Sequence, residues 1–93
     1  MIVSFKHKGL ELFFKTGNKR GIQAKHEKKL KLILDLLDVA NEPENMNFSG
    51  AMLHLLEPRK NQIYAVRVSG NWRVTFRLNS GGDAEIVDYL DYH

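Results

Sequence analysis

Apolar residues in the first half of the chain recur at the spacing of an α-helix. They predict one short helix over about residues 6–15 and a longer helix over about residues 23–40. The residues at the i, i+3, i+4 interval are Leu10, Phe13 and Phe14 in the first helix, and Leu30, Ile33, Leu34 and Leu37 in the second. Leu32, Leu36 and Val39 widen the apolar stripe of the second helix, which predicts that it packs against more than one neighbour.

Apolar and polar residues alternate in the second half of the chain, which is the pattern of strands with one buried face. Strands are expected over residues 52–56, 64–68, 72–78 and 84–90. A short β-prone run at residues 2–5 predicts one more strand before the first helix. The resulting order, β-α-α-β-β-β-β, predicts an α+β domain with two N-terminal helices packed on one face of a small, mainly antiparallel sheet.

Length and composition narrow the class of protein. A chain of 93 residues with 43% apolar residues predicts one globular domain covering residues 1–93. The absence of cysteine excludes disulfides and thiolate zinc sites. No apolar run has the length of a signal peptide or a membrane span, so we expect a cytoplasmic protein without a membrane partner. No metal-binding motif is present, and we expect neither a metal nor another cofactor.

The net charge of +3 conceals alternating blocks of opposite sign. Residues 1–31 hold nine Lys or Arg and two Glu, whereas residues 32–58 hold five acidic residues and no Lys or Arg. Residues 59–77 hold five Lys or Arg and no acid, and residues 83–91 hold four acids. Separate basic patches suit a phosphate-bearing partner, although each block also fits an ordinary solvated surface.

The hairpin between the second and third of these strands brings two arginines together. Centring it on Gly70 places Arg67 opposite Arg73, and Val68 opposite Trp72, with both arginines on the face away from the apolar side chains. Two arginines directly across a sheet repel each other, and a phosphate between them would relieve the repulsion. The alternative is a pair that extends into solvent or binds a carboxylate of a neighbouring strand.

Candidate acid–base groups lie in the middle and at the end of the chain. His54 stands between Leu53 and Leu55, so alternation turns it toward the arginine face. The chain ends in Asp91-Tyr92-His93, and histidine, aspartate and tyrosine side chains can transfer protons to and from an RNA hydroxyl. A structural histidine and a frayed terminus remain the alternatives.

Four segments together carry a resemblance to a known family. They are Ile2–Leu10, Leu53-His54, Val66–Phe76 and Asp88–His93. In this order and at this spacing they resemble the HigB toxins of type II toxin–antitoxin systems, which belong to the RelE/ParE superfamily. The similarity covers nearly the whole chain.

The resemblance implies an activity and a set of partners. The activity is a ribosome-dependent endoribonuclease, or mRNA interferase, that cleaves messenger RNA in the A site of the 70S ribosome without a metal. The partners are the ribosome, messenger RNA and a helix-turn-helix antitoxin of the HigA type. Operator DNA would be bound only through the toxin–antitoxin complex.

Roles for individual residues follow from the same resemblance. His54 and either Asp91 or His93 would transfer protons, Tyr92 would belong to the catalytic set, and Arg73 would contact the scissile phosphate. Arg67 is a further candidate phosphate contact. Trp72 shares the parity of Val74 and Phe76 and is expected in the core rather than against an RNA base.

One position departs from the family pattern. Family members often have a lysine where this chain has Glu57, so the charge is reversed. Arg59 or Lys60, from the same loop, would then have to supply the cation. If neither reaches the phosphate, weaker activity or different codons are expected.

The N-terminal basic block fits contact with ribosomal RNA, or a solvated helical surface. Its members are Lys6, Lys8, Lys15, Lys19, Arg20, Lys25, Lys28 and Lys29. Two other functions remain open on the same fold: a gyrase-directed toxin that is not a nuclease, and a catalytically impaired relative that acts as a co-repressor.

Overall fold

The computed structural model describes residues 1–57 and 62–92. The helices are α1 (Lys8–Thr16) and α2 (Glu27–Val39), and the strands are β1 (His54–Glu57), β2 (Ile63–Ser69), β3 (Trp72–Leu78) and β4 (Ala84–Asp91). The strands form one antiparallel sheet in the order β1-β2-β3-β4. The predicted α+β class is therefore confirmed.

Helix α1 starts two residues later than predicted because a side chain caps it. The Nδ1 atom of His7 accepts a hydrogen bond of 2.9 Å from the backbone N–H of Leu10, which satisfies a donor that the helix leaves unpaired. The helix ends at Gly17, whose φ of 80° is readily adopted by glycine.

Helix α2 buries the apolar stripe that the sequence predicts but not the wider one. A 3₁₀ turn at Ala24–His26 precedes the helix, so it begins at Glu27 rather than at residue 23. Leu30, Ile33, Leu34 and Leu37 are buried, as the sequence predicts. Of the three residues predicted to widen the stripe, only Leu36 packs against the core, whereas Leu32 and Val39 are 47% and 77% exposed.

The predicted N-terminal strand consists of two isolated parallel bridges to β4. They join Ile2 to Ala84 and Phe5 to Val87. Between them lies Ile86, whose φ of 50° interrupts regular strand geometry, and its N–H donates to the Ser4 hydroxyl at 2.8 Å. A continuous ladder cannot cross this bulge, so the segment pairs only on either side of it.

The β2–β3 hairpin has the predicted register at the arginines and a different one at its end. Arg67 faces Arg73, as expected, but Ser69 rather than Val68 faces Trp72. A bulge after Arg67 adds one residue to β2, and Val68 is buried instead of paired.

The core lies between the helices and one face of the sheet. The sheet side chains in this cluster alternate along each strand, and they include Val66 and Val68 of β2, Val74 and Phe76 of β3, and Val87 and Tyr89 of β4. Trp72 packs against this core, as predicted. The intervening residues belong to the opposite face, where the candidate site lies.

A buried histidine and tyrosine join the start of α2 to β4. His26 is 2% exposed, and its Nδ1 lies 2.6 Å from the Tyr89 hydroxyl. Burial raises the pKa of Tyr89, so at neutral pH its O–H donates to His26 while its oxygen faces the Gln23 N–H at 3.4 Å. Burial, together with the charge of Lys25, lowers the pKa of His26 from 6.5.

Acid is therefore expected to weaken the fold through His26. The unfolded state binds a proton near pH 6.5 and the folded state only at lower pH, so stability from this group is complete above pH 6.5 and is lost as pH falls through the folded pKa. The loss has a limiting slope of about 1.4 kcal/mol per pH unit. Urea titrations between neutral and mildly acidic pH measure it, and H26F is expected to flatten this dependence. An equally steep loss in H26F would contradict the assignment.

Candidate active site

Strand register places the predicted acid–base and phosphate-binding residues on one face of the sheet. His54 pairs with Ala65, Ala65 with Thr75, and Thr75 with Asp88, so the four form a row across all strands. Paired residues have Cβ atoms roughly 5 Å apart and point to the same side. His54 therefore lies on the face away from the helices.

Arg67 and Arg73 lie in the next row of the same face, together with Leu90. A backbone carbonyl lies between the two guanidinium groups. The carbonyl oxygen of Gly70 accepts from Arg73 Nη1 at 2.7 Å and from Arg67 Nε at 3.4 Å. Arg73 Nη1 also donates to the Trp72 carbonyl at 3.1 Å. The hairpin turn thus anchors Arg73 and holds both positive groups at one end of the face.

The environment of Arg73 differs from that of Arg67. Arg67 is exposed, whereas Arg73 is half-buried. The Nε atom of Arg73 is buried and has no hydrogen-bond acceptor among the residues described. Arg73 is therefore the more desolvated cation, and an anion beside it is less screened by water.

His54 is exposed at the edge strand β1. Its Nδ1 lies 2.9 Å from the carbonyl oxygen of Met52, two residues earlier in the chain. This contact holds one ring nitrogen against the backbone. Met52 itself is not part of the strand, contrary to the predicted start at residue 52, because its φ is 50°.

A groove of about 330 Å³ runs along the same face. Its polar and charged lining residues are Lys6, Thr75, Arg77, Asp88 and Tyr92, and its apolar ones are Leu56, Ile63, Ile86 and Leu90. Glu85 forms an ion pair with Arg77 at 3.0 Å. The groove was not predicted from the sequence, although residues 86, 88, 90 and 92 alternate along the last strand and line it together.

The predicted C-terminal residues lie on different sides of the sheet. Asp91 pairs with Trp72, so it belongs to the side of the sheet that faces the core. It is nevertheless exposed, because it is the last residue of β4. Tyr92 lines the groove and is 48% exposed. Its backbone N–H donates to the Asn71 carbonyl at 2.8 Å, which ties the end of the chain to the hairpin turn.

Several other predicted residues cannot be placed in this geometry. Arg59, Lys60 and His93 lie outside the described residues. The backbone of Glu57 ends β1, opposite Ile63. Their assigned roles remain predictions.

Comparison with known proteins identifies the family of this chain. A family model described as the RelE-like toxin of type II toxin–antitoxin system HigB matches residues 3–93. The chain belongs to the HigB toxin family. Endoribonuclease HigB from Proteus vulgaris is 39% identical over 93 residues, which cover the full length of both chains. Membership in a type II toxin family implies an antitoxin partner.

In this HigB-family chain, the basic N-terminal residues do not form a single free patch. Lys15 pairs with Glu11 at 2.8 Å, Lys19 pairs with Glu27 at 3.0 Å, and Lys29 lies 5.0 Å from the centre of the Phe48 ring. Lys6 lines the groove. The remaining predicted RNA contacts are exposed: Lys8, Arg20, Lys25 and Lys28.

The described residues contain neither a candidate metal cluster nor a candidate membrane helix. Across residues 1–57 and 62–92, no three His, Asp or Glu side chains come together in a group that could hold a metal ion. In the same part of the chain, no helix combines the length and the apolar character needed to cross a membrane.

Proposed function

We propose that this chain is the toxin of a type II toxin–antitoxin system and a ribosome-dependent endoribonuclease that cleaves messenger RNA in the A site. The observation that carries the proposal is that His54, Arg67 and Arg73 share the sheet face opposite the helices. The full-length similarity to a protein named as an endoribonuclease supports the same activity. The groove on this face does not include His54, Arg67 or Arg73 among its lining residues, and its lysine and arginine are balanced by Asp88 and by the Glu85 partner of Arg77. The positive charge available to a phosphate on this face therefore comes mainly from Arg67 and Arg73.

The chemistry that we propose is an attack of the 2′-hydroxyl on the adjacent phosphorus without a metal. His54 removes the 2′-hydroxyl proton, the 2′-oxygen bonds to phosphorus, and the bond to the 5′-oxygen breaks. A proton from His93 or Asp91 reaches the leaving 5′-oxygen, so the products are a cyclic phosphate and a 5′-hydroxyl. Of the two, Asp91 pairs with Trp72 on the core side and would have to reach the phosphate around the exposed end of β4. Arg73 stabilises the negative charge on the phosphate in the transition state.

The other predicted residues have supporting roles. Tyr92, at the open groove, contacts the RNA near the cleaved bond. Arg67 is the second phosphate contact, and Arg59 or Lys60 supplies the cation that Glu57 does not. Gain of cleavage in E57K would mean that Arg59 and Lys60 do not substitute for the missing lysine.

The proposed partners follow the family. The chain acts in the cytoplasm, contacts ribosomal RNA through exposed lysines and arginines of its N-terminal third, and is neutralised by a helix-turn-helix antitoxin of the HigA type. Operator DNA is bound through that complex. Because phosphate contacts release counterions, ribosome binding should weaken steeply as salt increases.

Mapping of messenger RNA 5′-ends after induction in cells tests the proposal. We expect cuts within translated codons, and we expect them to disappear in a variant that lacks His93. A variant with L55A, which changes an exposed residue on the other face of β1, is the folded control and should still cut. Growth arrest with intact messages and damaged DNA would overturn the nuclease and favour a gyrase-directed toxin. Intact messages without arrest would favour a co-repressor.

A further inference from the structure

The segment before β1 has an unusual backbone that ends at the proposed catalytic histidine. Gly50 has a φ of 82° and Met52 a φ of 50°, so two left-handed residues flank Ala51. Glycine adopts this conformation without strain, but methionine does so rarely and at a cost in free energy. A strained residue next to a candidate catalytic group is a reason to ask what the strain achieves.

Ala51 is fixed firmly between these two residues. It is 0% exposed, its N–H donates to the Phe48 carbonyl at 2.9 Å, and its carbonyl accepts from the Arg67 N–H at 2.7 Å. The residue before Met52 is thus fixed by burial in the core and by its hydrogen bond to β2. With Ala51 fixed, the left-handed turn at Met52 determines where the Met52 carbonyl points.

The Met52 side chain offers no packing that accounts for its conformation. It is 61% exposed, so it contributes little to the core. Its carbonyl oxygen, in contrast, lies 2.9 Å from Nδ1 of His54. The backbone conformation of Met52 therefore affects His54, because the Met52 carbonyl contacts the His54 ring.

The chemistry of this contact determines the tautomer of the ring. A carbonyl oxygen can only accept a hydrogen bond, so Nδ1 of His54 must carry the proton. In the neutral imidazole the lone pair is then on Nε2, so Nε2 is the ring nitrogen that can accept a proton. A carboxylate that holds a catalytic histidine in the correct tautomer has the same effect in serine proteases.

We propose that Met52, through its left-handed backbone and its carbonyl, is a positioning residue that fixes His54 as the Nδ1-protonated tautomer. The proposal rests on the proposed function, in which Nε2 removes the proton from the 2′-hydroxyl. It adds the reason why the chain accepts a strained methionine at an exposed position.

Substitutions at Met52 can vary the backbone preference without disturbing the core. Asparagine and glycine tolerate positive φ, whereas β-branched isoleucine does not. Nitrogen-15 NMR of the free protein at alkaline pH distinguishes a protonated ring nitrogen from one that carries a lone pair. We expect the Nδ1-protonated form in wild type, M52N and M52G, and a mixture of tautomers in M52I. An Nε2-protonated ring in wild type, or an unchanged spectrum in M52I, would overturn the proposal.

Cleavage of messenger RNA on programmed ribosomes supplies the second readout. We expect kcat of M52I to fall about three- to tenfold, in proportion to the competent tautomer, with KM unchanged and with M52N retaining the wild-type rate. Equal rates in M52I and M52N would overturn the positioning role. Failure of the proposed function has a different signature, because H54A would then cleave as fast as wild type while the tautomer spectra of the Met52 series stayed as expected.

Discussion

Replacing His54 with alanine is expected to lower the rate of messenger RNA cleavage by about 10²–10⁴-fold, the usual contribution of a general acid or base. The expected loss lies in kcat, because the imidazole acts on the proton of the attacking hydroxyl and contributes little to binding of the RNA. His54 is exposed on the edge strand, so its removal leaves no cavity and should not unfold the protein.

The matched control for H54A is L55A, the next residue on β1. Leu55 pairs with Tyr64 on the opposite face and is 40% exposed, so L55A should cleave at the wild-type rate. Cleavage of programmed ribosomal complexes, followed with both variants, measures the difference. Similar rates in H54A and L55A would remove His54 from the mechanism.

Replacing Arg73 with alanine is expected to lower kcat by about 10²–10³-fold, which is typical of removing one group that stabilises a developing oxyanion. Its guanidinium is half-buried and is held by the Gly70 and Trp72 carbonyls, so it loses little freedom when it meets a phosphate. R73K keeps the positive charge but loses the planar set of guanidinium N–H donors. We therefore expect R73K to show most of the decrease in kcat seen in R73A.

The comparison variant for Arg73 is R67A. Arg67 faces Arg73 across the hairpin but is exposed and makes a longer contact of 3.4 Å to Gly70. We expect R67A to raise KM more than it lowers kcat, because an exposed cation contributes mainly to binding. Urea unfolding of R73A, R73K and R67A measures how far the lost contacts to the turn destabilise the fold, so that a decrease in kcat can be assigned to the reaction itself. A folded R73A that cleaves like R67A would contradict the assigned role.

The fold class, the buried face of α2 and the pairing of Arg67 with Arg73 could all be predicted from the sequence. These features follow from local periodicity and from the position of Gly70, both of which can be read from neighbouring residues. The same alternation correctly placed His54 on the arginine face. Family resemblance then supplied roles that no spacing could give.

Features that depend on backbone conformation, or on contacts between residues distant in sequence, could not be predicted and became visible in the folded structure. The bulge after Arg67 and the left-handed Ile86 shift register by one residue, and alternation gives no sign of either. The contact between His26 and Tyr89 joins residues 63 positions apart, so no local pattern predicts it. The carbonyl of Met52 reaches His54 because Ala51 is held by the core and by β2. The sequence thus identified the histidine, while the fold determined which of its ring nitrogens contacts the Met52 carbonyl.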